Sequence, residues 1–214
     1  MQVKRKSQRA EKPVEHAIRR RENRTEAPLS FAQQRLWFLH QLEPNSSAYH
    51  LPVYYRFAGK LNIGALEQSL NEIVRRHEIL RTIFREREDT AIQIVQPSLQ
   101  VSLPLIDLSA LTRTEVDREI ERVLEVETAR PFSLEQGPLL RAVLLKLSAD
   151  EHAIFLVIHH IVTDGWSMDI FMSELLALYK AFSAGEPSPL AELPLQYSDF
   201  AAWQRESLAG ETLD

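Results

Sequence analysis

The 214-residue chain contains no cysteine. That absence excludes disulfides, thiolate metal ligands and a cysteine nucleophile together, so zinc-finger and thiol-enzyme chemistry fall away. Only six glycines are present, too few for a collagen-like or low-complexity chain. No apolar run approaches the roughly 20 residues that span a bilayer, and the charged amino terminus does not resemble a signal segment. These features predict a cytoplasmic protein with no membrane partner. The 44% hydrophobic content is that of a globular protein large enough to bury a substantial core.

The net charge of -5 is unevenly spread. Residues 1–28 hold nine basic side chains against four glutamates, and the remainder carries an excess of ten acidic ones. Basic runs of this kind are usually solvated tails, and the acidic body argues against a nucleic-acid partner. Residues 1–27 therefore read as a flexible basic leader or linker, with the folded part, 28–214, beginning at Pro28.

From there the pattern alternates. "SFAQQRLWFLHQL" reads as a helix capped by Ser30, and "YHLPVYYRFAGKL" as a strand. Ile63, Leu66, Leu70, Ile73 and Val74 recur at helical spacing behind a candidate cap, Asn62. "RTIFRERE" and "AIQIVQ" suggest a hairpin, and "VSLPLIDL" another strand. A charged helix then runs to Pro131. Two apolar runs, Leu139–Leu147 and Ala153–His159, have strand length, and the second is apolar on both parities, as in a strand covered on both faces. The stripe from Met168 to Phe182 predicts an amphipathic helix, and "QYSDFAAWQRESL" a last short one. The fold class is an α/β (α+β) sandwich, a mixed β-sheet with helices packed on it.

The chemistry concentrates in "HHIVTDGWS", residues His159 to Ser167. Neighbouring strand residues point to opposite faces, so His159 and His160 are poor partners for one metal, and no metal site is predicted. Three residues separate His160 from Asp164, enough for a turn to bring the carboxylate back to orient the ring or to hold the turn through an arginine. Gly165 permits positive φ and close backbone approach, and its amide at a helix start is available to a developing oxyanion. The plainer reading makes both histidines hydrogen-bonded core residues and "TDG" a strand-to-helix turn. Ser167 lacks the G-x-S-x-G elbow of an exposed nucleophile and reads as a helix-capping residue.

Four segments in order, "SFAQQRLWFL" from Ser30, "RHEILRTIF" from Arg76, "HHIVTDGWS" from His159 and "YSDFAAWQ" from Tyr197, resemble the condensation domain of nonribosomal peptide synthetases. The likeness runs from Pro28 to the last residue. It implies a chloramphenicol acetyltransferase-like fold of two lobes meeting at a cleft, of which residues 28–214 are the N-terminal lobe, with the second lobe outside this sequence. It also implies amide formation between substrates held as thioesters on the phosphopantetheine arms of donor and acceptor peptidyl carrier proteins, with no cofactor bound by the chain itself.

By the same likeness His160 carries the chemistry, as a base toward the attacking amine or as a group that positions it. Gly165 is assigned to the catalytic loop, and His159 supports it. Asp164 pairs with an arginine, Arg76 first and Arg81 second, for which the plain alternative is a solvated helix end. Trp166 packs beside the loop, Trp37 and Trp203 fill the core or lobe contacts, and His77 is a satisfied buried histidine. A lone lobe is expected to lose activity and to expose apolar surface. Two further readings remain, a non-catalytic lobe or carrier-interaction module, and an acyl-CoA-dependent transferase of the same HxxxD type. Epimerisation domains fit the opening segment less well, and cyclisation domains place Asp where His159 stands.

Overall fold

The computed structural model describes residues 17–208. The chain forms β1 (Glu26–Pro28), α1 (Phe31–Leu42), β2 (His50–Ala58), α2 (Ile63–Arg76), β3 (Thr82–Arg87), β4 (Thr90–Val95), β5 (Leu105–Asp107), α3 (Arg113–Ala129), β6 (Leu140–Ser148), β7 (Glu151–His159), α4 (Gly165–Ser183) and α5 (Tyr197–Ser207). Short 3-10 turns occupy Glu78–Arg81 and His160–Val162.

The principal sheet has the order β2-β7-β6-β5. It is mixed: β7 runs antiparallel to both neighbours, and the short β5 joins β6 in parallel. The double-parity apolar run of β7 therefore sits inside the sheet, buried throughout from His152 to His159. On one side Leu66, Leu70 and Ile73 of α2 and Phe171, Leu175 and Leu178 of α4 pack with β7 in the larger core. On the other, Val116, Ile120 and Val123 of α3 meet Val143, Leu145 and Ala153. A helix, a sheet and a helix pair form three layers.

Helix ends follow their predicted caps. Ser30 and Gln33 form a reciprocal capping box on α1, and the Asn62 side chain accepts the Ala65 amide on α2. The hairpin β3–β4 forms as predicted, but it belongs to a separate three-stranded sheet with β1. The folded part also starts earlier than Pro28. Part of the expected leader, residues 1–16, lies outside the described residues. Its end is held: the Arg21 amide donates to Asp199 at 3.0 Å, Arg24 reaches Glu78 at 2.6 Å, and Glu26–Pro28 pairs with β4. Arg21 and Arg24 are thus paired with acidic groups of the body, so a count of charge along the chain misreads them as part of a solvated run. No described helix is long and apolar enough to cross a membrane.

Candidate active site

The principal sheet delivers the histidine motif at the C-terminal end of its central strand. β7 ends on His159, and the chain turns at once into the 3-10 turn that starts with His160. The two imidazoles consequently part. His159 is 2% exposed, and its Nδ1 accepts the Ile161 amide at 3.1 Å. Its ring lies edge-on to His40 and His50, both 5.9 Å away, and to Phe132 at 6.0 Å. Burial first, then the neighbouring histidines, pushes its pKa down to about 3. With Nδ1 accepting, the neutral ring carries its proton on Nε2. His50 in turn donates from Nδ1 to the Thr128 carbonyl at 2.6 Å.

His160 is exposed. Its backbone amide donates to the Tyr49 carbonyl at 2.8 Å, fixing where the turn leaves the sheet, while no described residue hydrogen-bonds its imidazole. The ring stands on the lining of a cavity of about 340 Å³ that reaches between α1, α4 and the segment leading into α5. The same cavity touches Asp164 and Ser167 on one side and His77 and Tyr197 on the other.

Among the described residues Asp164 is not paired with an arginine. It is the N-cap of α4, accepting the Ser167 amide at 2.8 Å and the Ser167 hydroxyl at 2.6 Å. The hydroxyl bond and then the amide bond hold its carboxyl below the usual range. An acidic residue directly before a helix has a local role, here through Oδ1, that needs no distant cation. Ser167 accordingly completes the cap from the first turn.

Arg76 and Arg81 serve other partners. Arg76 is 3% exposed and lies between α2 and α4. Its guanidinium donates to Glu174 at 3.2 and 3.3 Å and to the carbonyls of Leu190 and Ala191 at 3.3 and 2.9 Å. Glu174 lies nine residues into α4 beyond Gly165, roughly 13 Å along the axis, so the predicted ion pair exists with a different carboxylate. Burial opposes the charge on Glu174, but Arg76 and His77 hold its carboxyl below the usual range. Arg81 donates to the Gln96 carbonyl and stands 3.7 Å from Glu78. Neither is a solvated helix end.

His77 is half-buried and satisfied, with Nε2 2.8 Å from Glu174. Trp166, expected to pack beside the loop, is 79% exposed because the first turn of α4 directs it outward. Trp37 is buried, and Trp203 is half-buried with its ring 5.9 Å from Phe200. Gly165 has no positive φ, and open space surrounds the position of a Cβ. The conformational reason for glycine offered from sequence does not hold at this position. Its amide remains at the free N-terminal end of α4, where the first N–H groups lack intrahelical acceptors.

Sequence reasoning missed three residues that frame this site. Glu174 joins Arg76 and His77 across α2 and α4. Gln196 accepts the Glu78 amide at 3.0 Å and donates to the Arg76 carbonyl at 2.9 Å. Tyr197 and Ser30 share a 2.9 Å hydroxyl bond that ties α5 to α1. Glu174 left a sequence signal, a carboxylate set beside Leu175 in a largely apolar stripe, and Tyr197 opens the fourth of the quoted segments.

Comparison with known proteins accounts for this arrangement. The sequence matches the family model described as the condensation domain over residues 23–214. A linear gramicidin synthase polypeptide of Brevibacillus parabrevis is 50% identical over 87% of this chain, which spans 2% of that protein. Chondramide synthase cmdD of Chondromyces crocatus is 50% identical over 84% of this chain and 5% of its own length. Among solved structures, the X-domain from teicoplanin biosynthesis superposes with a TM-score of 0.81 at 31% identity, covering 91% of this chain and 41% of that one. The first condensation domain of the calcium-dependent antibiotic synthetase, solved with a substrate analogue, gives 0.78 at 26% identity, covering 87% and 44%. The chain thus spans a small share of its curated relatives and less than half of these solved chains. The fold, the order of the four segments and the extent of the match lead to one conclusion: the chain belongs to the condensation-domain family.

Proposed function

We propose that this chain contributes the histidine-bearing lobe to amide-bond formation between two carrier-bound thioesters in nonribosomal peptide synthesis. The observation that carries the reading is the divergence of the histidine pair. His159 is withdrawn into the protein as a support that is neutral near neutral pH, and His160 is presented, without a protein partner among the described residues, beside a cavity.

In this reaction the acceptor amine attacks the donor thioester carbonyl. The new C–N bond forms, the C–S bond breaks, the donor arm leaves as a thiolate, and the amine loses a proton. The imidazole of His160 acts at the amine, accepting that proton as the bond forms or holding the amine in line for attack. The free amides at the start of α4, Gly165 among them, are the donors available to the oxygen of the tetrahedral intermediate. Asp164 serves by fixing that helix start, and Arg76 by locking α2 to α4 behind it. The phosphopantetheine arms enter as parts of the substrates, carried by donor and acceptor carrier proteins.

The test is transfer between loaded carriers in the complete synthetase. His160→Ala is expected to reduce the rate at least a hundredfold, the range general acid–base groups supply. Equal turnover by a folded His160→Ala protein would remove the assignment. Transfer that accepts coenzyme A thioesters as readily as loaded carriers would favour the acyl-CoA reading.

A further inference from the structure

The cavity beside His160 has an apolar wall. Leu36 of α1, Ile79 and Leu80 of the 3-10 turn, Ile161, Phe171 of α4 and Leu195 supply it. No lysine, arginine or glutamate lines it among the described residues. Its ionisable groups other than His160 and Asp164 already have partners that satisfy them. His77 is held by Glu174 and Tyr197 shares its hydroxyl with Ser30, while exposed Asp164 bonds the neutral Ser167 through Oδ1 alone and keeps its charge. Both ends of the Gln196 amide are used as well.

A carboxylate entering this space would give up water and meet only like charge at Asp164, and a cation would find its counter-charge only at that exposed residue, whereas an apolar group against the wall would gain by leaving water. The volume, about 340 Å³, lies at the small end of ligand cavities and suits one side chain rather than a whole carrier arm.

Resting on the condensation reading above, we infer that this cavity receives an uncharged apolar side chain, of leucine to phenylalanine size, borne by a thioester substrate next to its reacting atom. Both substrates meet at His160, so the side chain arrives on the acyl donor or on the attacking amine. Charged and very small amino acids are selected against at this step. The selection is made by the lobe itself, through burial rather than through a specific polar contact.

Amide NMR of the 214-residue chain reads this without turnover. The probes are aminoacyl N-acetylcysteamine analogues with the thioester replaced by an amide, carrying Ala, Leu, Phe, Asp or Lys. One series has the α-amine acetylated, as in a donor, and one has it free, as in an acceptor. The leucyl and phenylalanyl probes are expected to shift the amides of Ile79, Ile161 and Leu195 and to bind about tenfold or more tightly than the others, the gain expected for burying such a side chain. The series that responds identifies the substrate.

Leu195→Asp, at a partly exposed position on the wall, is expected to keep the melting temperature, weaken the leucyl probe about tenfold and strengthen the lysyl probe. Aspartyl or lysyl probes binding the unmodified chain as tightly as leucyl would overturn the inference. So would shifts confined to another face, or no leucyl binding at millimolar concentration. Because binding is measured, that failure would leave the His160 assignment standing, and failure of the His160 test would leave the cavity assignment standing.

Discussion

Asp164 spends its carboxylate on the helix it precedes, and that choice separates two substitutions. Asparagine caps as well as aspartate, so Asp164→Asn should melt close to the parent, while Asp164→Ala should lose about 0.5–2 kcal/mol in denaturant unfolding. A carboxylate needed as an ion-pair partner would make both changes equally harmful. Arg76 belongs to the other kind of residue, buried with Glu174 and two carbonyls. Arg76→Ala strands that carboxylate and should cost about 3–5 kcal/mol, measured by the same unfolding. The family resemblance carried by "RHEILRT" and "HHIVTDG" implied a buried arginine and an aspartate that shapes the loop, where the residue types alone fitted a solvated helix end. They could not say that the two ignore each other, because a local cap and a remote salt bridge leave the same letters in the sequence.

At the scale of elements, the end of β7 decides the division of labour. Strand alternation alone predicts opposite faces for the histidine pair, and the immediate passage into a 3-10 turn carries His160 out while His159 stays with His40, His50 and Phe132. That packing has a pH signature. His159 has a folded pKa of about 3, against about 6.5 in an unfolded chain. Between these values the unfolded state binds the additional proton, so the stabilising contribution is complete above pH 6.5 and is lost as the pH falls towards 3. His40 and His50 shift in the same direction, burial being the main cause in each. Denaturant unfolding from pH 7.5 to 4.5 should therefore show falling stability. His159→Asn, whose side-chain oxygen can accept the Ile161 amide, should flatten part of that fall. The helices and long strands were legible because their periodicity repeats over several turns. β1 was not, since three residues ending in proline carry no period, and its pairing with β4 is visible only once the hairpin stands in its own sheet.

Across the whole molecule, the layered fold brings four distant sequence segments together at one end of the sheet. Ser30 and Tyr197 meet through their hydroxyls, and Arg76, Gln196 and Glu174 lock α2, α4 and the segment before α5 behind the motif. Exposed apolar groups lie on two helices, with Phe38 61% and Leu42 63% exposed on one side of α1 and Trp166 79% exposed on α4. Trp166 precedes the apolar stripe that begins at Met168, and four residues on Ile170 is exposed as well, so helical spacing alone did not assign it to the core. Orienting two tethered substrates is a large part of such catalysis, and the solved relatives carry more than as much chain again. Mixed with loaded donor and acceptor carriers, the 214-residue chain alone should form product at least a hundredfold more slowly than a complete domain, by chromatographic analysis of the released peptide. The most direct measurement compares His160→Ala with Asp164→Asn in one complete synthetase, following single-turnover transfer and thermal unfolding together. His160→Ala should lose at least a hundredfold in rate with an unchanged melting temperature, and Asp164→Asn should stay within about tenfold of the parent. Undiminished transfer by the His160 variant, or a loss of rate matched by a loss of folding, would contradict the account.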